Sequence, residues 1–246
     1  MSATRARVLL QPGYVLHRRP YRDNSLLLEL FSPQLGRVGL VARGARQAKS
    51  RLHGVLQPFR PLLVSWSGGG ELATLTAAEA DGPVPWLDGR SLVGGLYINE
   101  LLVRLLHRFD PHPALYAAYR ITVEALADPQ AALEPILRRF EKQLLEEIGY
   151  GLVLDYDAEE GRAIEPRCLY VYHLLHGPVP VRGEGPRGDA LVLRGQSLLD
   201  LAAGEFHDQT SLREAKRLTR AALAEQLGSR PLMSRRLFQT ADEFKV

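Results

Sequence analysis

The chain has 246 residues, 46% hydrophobic and 24% charged, with a formal net charge of +3. Those values suit a soluble globular protein of one or two domains and exclude a disordered, collagen-like or disulfide-stapled class. The lone Cys168 forms no internal disulfide, no apolar run approaches the ~18 residues of a membrane span, and the basic start lacks an apolar leader behind it, so a cytoplasmic setting without membrane contact is expected.

The first eighty residues predict strands. Val8–Leu16, Leu26–Phe31, Val38–Ala42, Leu62–Trp66 and Leu72–Ala77 are short and aliphatic, separated by turn signals at Asp23-Asn24, Ser32-Pro33, Gly36 and Gly68-Gly69-Gly70. Five such strands suit an OB-fold barrel, with a sandwich or SH3-like barrel as the alternative. After Pro83 and Pro85 the apolar spacing becomes helical. Leu92 to Leu106 marks one helix, ended at Asp110-Pro111. Pro113 opens a second, with Leu115, Tyr119, Val123 and Leu126 on one face. Leu137, Phe140, Leu144 and Ile148 mark a third, stopped by Gly149 as a left-handed cap, and three helices in sequence suggest a bundle. Residues 151–194 read as irregular, with short strands at Cys168–Leu174 and Ala190–Leu193. Helices return near Leu198 and at Ser211, where Ser211-Leu212-Arg213-Glu214 fits a capping box, and run on to Gly228. The fold class is therefore α+β and multidomain. An OB-fold nucleic-acid-binding domain over 1–82 precedes a helical domain over 83–246 with a small irregular β insertion.

Several motifs fail on context. Gly183 to Gly188 matches a dinucleotide fingerprint, but a strand-like segment follows where a helix is required, so a hairpin loop is expected. Asp155, Asp157 and Glu159 alternate like a calcium loop, yet the glycine and the closing glutamate are Glu160 and Pro166, which leaves a solvated acidic loop. Cys168, His173 and His176 have chemistry adequate for zinc but read as structural. No serine, histidine and aspartate set has a nucleophile turn, so no catalytic residues and no cofactor are assigned.

Charge carries the strongest signal. Residues 1–70 hold eleven basic side chains and only Asp23 and Glu29 as acids, a balance of +9 that leaves −6 for the rest. No carboxylate lies between Glu29 and Glu71. Within that stretch Arg37, Arg43, Arg46, Lys49 and Arg51 lie on a strand and the loop it feeds, where Gly44 permits close backbone approach. Arginine grips phosphate through a planar fork and lysine as a mobile point charge. If about five phosphates of a single strand are neutralised, the slope of log affinity against log salt is near −3.5. Tyr14, Tyr21 and Phe31 offer candidate stacking faces, with barrel core as the alternative, above all for Phe31. A second basic face on the late helix carries Arg213, Arg217 and Arg220, either as a solvated surface or as an extension of the nucleic-acid path.

The chain resembles the bacterial RecO family over nearly its whole length. The residues that carry the likeness are Gly13-Tyr14-Val15-Leu16 with Tyr21 and Ser25, Gly36-Arg37, and Ala42-Arg43-Gly44-Ala45-Arg46. Further along they are Leu56-Gln57-Pro58-Phe59, Gly95 to Leu102, Leu137 to Glu141 with Gly149-Tyr150-Gly151, and Leu227-Gly228 with Arg230-Pro231-Leu232. The resemblance implies an N-terminal OB-fold and a helical domain, binding of single- and double-stranded DNA, and annealing of complementary strands. It also implies contacts with RecR and with the acidic C-terminal tail of single-stranded DNA-binding protein, so that RecA replaces that protein on gapped DNA. No covalent chemistry is implied, so the chain is not expected to be an enzyme. Many members carry a four-cysteine zinc site after the Gly-Tyr-Gly segment. Here only Cys168 follows, so no zinc is expected. Arg138 and Arg139, beside Leu137 and Phe140, are the candidate residues for the tail. The rival readings are an adaptor whose basic patch meets an acidic protein and an enzyme acting on a polyanion.

Overall fold

The computed structural model describes residues 7–183 and 190–243. Five strands, β1 (Arg7–Tyr21), β2 (Ser25–Ser32), β3 (Gly36–Ala42), β4 (Leu62–Ser67) and β5 (Ala73–Ala80), close an OB-like barrel in the order β1-β2-β3-β5-β4. A single-turn helix, α1 (Leu52–Val55), sits between β3 and β4. β1 is long enough to pair with β4 through its first half and β2 through its second, with register shifts between Val8 and Gln11 and between Val15 and His17. Such bulges bend a strand and raise its twist, which lets a short sheet curl into closure. The parallel pairing of Leu40 with Ala73 and Val41 with Thr74 completes the ring.

Val15, Leu28, Leu30, Val38, Leu40, Leu62, Val64 and Trp66 fill the barrel interior. Each such side chain contributes roughly 1.5–3 kcal/mol on burial. Strand alternation turns their neighbours outward. Tyr14 and Phe31, opposite one another in register, are buried outside the barrel interior, against Tyr116 and Tyr119. Phe31 is therefore core, but not barrel core, and neither ring is open to stack on a base.

Two helices follow, α2 (Gly89–Leu105) and α3 (Pro113–Leu126), the latter opened by its proline as the sequence predicts. α2 ends short of Asp110-Pro111. The chain leaves it at Leu106 and runs beside β3, where Phe109 N–H donates to the Arg37 carbonyl at 3.1 Å. Asn99 pins the assembly: its amide donates to the Leu16 carbonyl at 3.0 Å and it accepts from the Tyr119 hydroxyl at 2.7 Å. Gly95 has no room for a side chain, since a Cβ would lie 2.8 Å from the Phe59 ring.

Contacts divide the chain into two compact units. The barrel unit runs to Pro129 and resumes at Leu232, and the second unit is Gln130–Pro231. The returning segment forms α7 (Ser234–Glu243), whose first turn is held by Glu100. Its carboxylate accepts from the Met233 and Ser234 N–H groups, both at 2.8 Å, and from the Ser234 hydroxyl. Those bonds outweigh burial and hold the Glu100 carboxyl below its ordinary pKa.

The second unit contains α4 (Leu133–Glu147), β6 (Leu169–His173), β7 (Gly177–Pro180), β8 (Val192–Arg194), α5 (Gly195–Ala203) and α6 (Gln209–Leu227). The expected three-helix bundle does not form. α4 packs on α5 and α6 inside this unit, whereas α2 and α3 belong to the barrel unit. Gly149 does adopt the left-handed conformation after α4, at φ +86°. The strands are ordered β7-β6-β8. β7 and β8 thus pair with opposite edges of β6 and not with each other; the loop predicted over Gly183–Gly188 lies, but for Gly183, outside the described residues.

Two local readings change. The cap of α6 is Asp208, whose carboxylate accepts from the Ser211 N–H at 2.6 Å. Ser211 instead donates its hydroxyl to Asp200, and Glu214 accepts from the Arg194 N–H at 2.9 Å, so there is no capping box. The 155–164 segment is not simply a solvated acidic loop. Asp157 is buried and accepts from the N–H groups of Glu159, Glu160 and Arg162 at 3.0, 2.6 and 3.0 Å, which closes the turn.

Candidate nucleic-acid interface

The connection from β3 to α1 holds four of the predicted cations. Ala45 is fully buried in the barrel core and anchors the loop from within. Arg46 anchors it from outside. Its N–H donates to the Asn24 carbonyl at 3.0 Å, and its guanidinium donates to the Asp23 carbonyl at 3.2 Å, clasping the β1–β2 turn. Gly44 sits at φ +66°, a conformation that favours glycine. On either side of these anchors Arg43, Lys49 and Arg51 are exposed, and none makes a hydrogen bond or ion pair through its side chain among the described residues.

The β1–β2 turn adds Arg22, which sequence reasoning counted in the charge balance but did not assign to the site. It is exposed, and its guanidinium carbon lies 5.2 Å from the Tyr21 ring centroid. That contact orients the cation and leaves the guanidinium exposed. The clue available in the sequence was the Asp23-Asn24 turn signal, which predicts that Arg22 projects from a hairpin tip.

Arg37 does not join this group. Its guanidinium donates to Glu29 at 3.2 Å and to the Leu106 carbonyl at 3.1 Å. Arg108 reaches the same carboxylate at 2.5 Å. Burial lowers the pKa of Arg37, opposed by Glu29. Gly39 makes the convergence possible, since a Cβ there would lie 2.1 Å from the Arg108 guanidinium. Glu29 is thus matched by two arginines, leaving Asp23 as the exposed acid of the first seventy residues.

The other candidates belong to the second unit. Arg217 and Arg220 are exposed on α6, and Arg217 donates to the Val192 carbonyl at 3.4 Å. Lys216 on the same helix donates to Glu134 at 2.6 Å. Burial pushes the Glu134 pKa up, but the Lys216 bond and the nearby Arg138 outweigh it and hold it below the ordinary value. Arg138 is 2% exposed and pairs with Glu141 at 2.7 Å, while Glu141 also accepts from the Thr219 hydroxyl. It is a buried structural cation and is not available to a surface site for an acidic tail. Arg139, the next residue, is exposed.

Among the described residues no group of three histidine, cysteine, aspartate or glutamate side chains is arranged to hold a metal ion, Cys168, His173 and His176 included. Asp200 sits between His207, at 2.9 Å, and Ser211. Because the serine bonds the aspartate and not the imidazole, the set lacks the order that activates a nucleophile. No helix among the described residues is long and apolar enough to cross a membrane.

These features define a class: an OB-like barrel with an unneutralised cationic loop, followed by helical structure with a small sheet. Residues 7–83 match the family model for the recombination protein O N terminus, and residues 87–236 match that for its C terminus. The DNA repair protein RecO of Nitrosococcus oceani is 49% identical over 233 residues, 95% of this chain and 94% of that protein. Those of Alkalilimnicola ehrlichii and Methylococcus capsulatus are each 50% identical, covering 95% and 96% of this chain and 92% and 95% of their own lengths. The chain belongs to the RecO family.

Proposed function

We propose that this chain is a DNA-repair recombination mediator of the cytoplasm, not an enzyme, that binds single- and double-stranded DNA through the β3–α1 loop and the adjoining β1–β2 turn. The barrel over 1–82 is the nucleic-acid-binding domain in this reading, and 83–246 is the helical domain. The observation that carries it is the set of exposed, unpaired cations Arg43, Lys49 and Arg51 on a loop pinned at Ala45 and Arg46. A loop pinned at one point has less freedom to lose on binding than a free one. Phosphate contacts fix a strand without reading its sequence, and the outward aromatics Tyr14 and Phe31 are covered, so binding is backbone-directed. Neutralising two strands at one surface lowers their mutual repulsion and promotes annealing.

The finer roles belong to the same reading, as what the family likeness implies: contact with RecR, capture of the acidic tail of single-stranded DNA-binding protein, and loading of RecA. Arg139 is the exposed arginine of the Arg138-Arg139 pair that remains for the tail, and Arg217 and Arg220 remain as a secondary basic face. Annealing of complementary oligonucleotides by the purified chain, without partners, tests the reading. Faster annealing that is lost when Arg43, Lys49 and Arg51 are replaced by Gln supports it. No acceleration, with tight binding to an acidic protein instead, favours the adaptor.

A further inference from the structure

A groove of about 570 Å³ lies in the barrel unit, formed by β1, the linker after β5 and α3. Its aromatic side is the half-buried Tyr116, which packs on the buried Tyr14 with ring centroids 5.4 Å apart, backed by Phe31 and Tyr119. Five prolines, from Pro12 to Pro85, line it with them. Packed rings and prolines have little conformational freedom to lose, so the groove is formed before anything enters it. Val84 lines the groove at 41% exposure, and two residues along the linker Trp86 is 80% exposed. A tryptophan so open, next in the chain to the groove-lining Pro85, is the residue type that anchors protein interfaces.

The charge of the groove is opposite to that of the DNA loop. Its charged side chains are Asp81, Glu124 and Arg120, all exposed and none in an ion pair among the described residues, for a net charge of −1. All three act on the tyrosine hydroxyls. Burial raises the pKa of Tyr14, Glu124 and Asp81 raise it further, and Arg120 opposes them. Burial likewise raises Tyr116, again with Asp81 adding and Arg120 opposing. The hydroxyls therefore stay neutral, beside an excess of carboxylate. Such a site repels a phosphodiester or an acidic peptide and attracts a cation.

We propose that this groove docks a segment of a protein partner that carries a lysine or arginine next to an apolar residue. The cation meets Asp81, Glu124 and the Tyr116 side, its aliphatic stem lies on the prolines, and the apolar neighbour packs on Val84. None of the loop cations takes part, so the site stands or falls independently of DNA binding.

The test pans a phage-displayed library of random twelve-residue peptides against the full chain, then titrates the enriched peptides by fluorescence anisotropy. Basic-apolar peptides are expected. D81N/E124Q weakens them about tenfold and R120Q tightens them, while oligonucleotide affinity stays within about twofold in both variants. All three substituted positions are exposed, so folding is retained and circular dichroism verifies it. Enrichment of acidic peptides, the reverse response to the two variants, displacement of the peptides by an oligonucleotide, or no peptide sensitive to these positions overturns the proposal.

Discussion

On the β3–α1 loop Arg43, Lys49 and Arg51 face solvent without partners, whereas in the second unit Lys216 is held by Glu134, Arg138 by Glu141 and Arg194 by Asp208. Both regions are rich in cations, and what separates them is the supply of acids within reach. Forty-one consecutive residues from 30 to 70 contain no carboxylate. On and around α6, Glu205, Asp208, Glu214 and Glu225 are interleaved with the arginines. A basic count alone does not mark a binding surface. A basic count in a stretch that cannot neutralise itself does.

The largest expected effect breaks the second region. Glu141→Ala removes the close partner of the buried Arg138 and leaves it only Glu134 at 3.9 Å, which should cost about 3 kcal/mol, measured by urea unfolding. Next, Arg43→Gln, Lys49→Gln and Arg51→Gln together should weaken binding to a single-stranded oligonucleotide about a hundredfold at 0.1 M salt, since each lost phosphate contact removes roughly 0.7 decade. Gly39→Ala displaces Arg108 from Glu29 and the Glu71 carbonyl, and a loss of about 1–3 kcal/mol is expected, with unchanged loop charge.

The acid sites near α6 give a pH signature. The Arg194 pair and the Ser211 N–H hold Asp208 down to about 2; at Asp200, bonds from Ser211, Gln196 and His207 outweigh the burial that would raise it. Depressed carboxylates contribute stability that is complete above their unfolded pKa, near 4, and lost as pH falls through the folded value. Tm should therefore be level from pH 7 to 5 with respect to these groups and fall below pH 4. Asp208→Asn should have a lower Tm than the native chain at pH 7 and approach it near pH 2. The smallest effect sharpens the contrast from the other side: Arg217→Gln with Arg220→Gln should change oligonucleotide affinity less than about threefold. A loss as large as that of the loop triple would put both regions on one footing.

Much of the barrel was legible because aliphatic strands and glycine turns are local signals. The fate of Arg37 was not, since Arg108 and Leu106 lie about seventy residues away and meet it only through the segment that leaves α2. Tyr14 and Phe31 show a different limit: alternation tells which residues share a face, but not that α3 covers the outer one. Ser211 was misread because Asp208, three residues earlier, is an equally good cap, and only burial of Asp200 decides between them. The loop cations were legible in kind, and the anchors Ala45 and Arg46 that pin their loop were visible only in three dimensions.

The most direct measurement is the affinity of the full chain for a single-stranded oligonucleotide between 50 and 200 mM salt. With Arg22, Arg43, Arg46, Lys49 and Arg51 on phosphates, log affinity should fall against log salt with a slope near −3.5, and near −1.4 when Arg43, Lys49 and Arg51 are replaced by Gln. A flat dependence in the native chain, or an unchanged slope in the variant, contradicts the account.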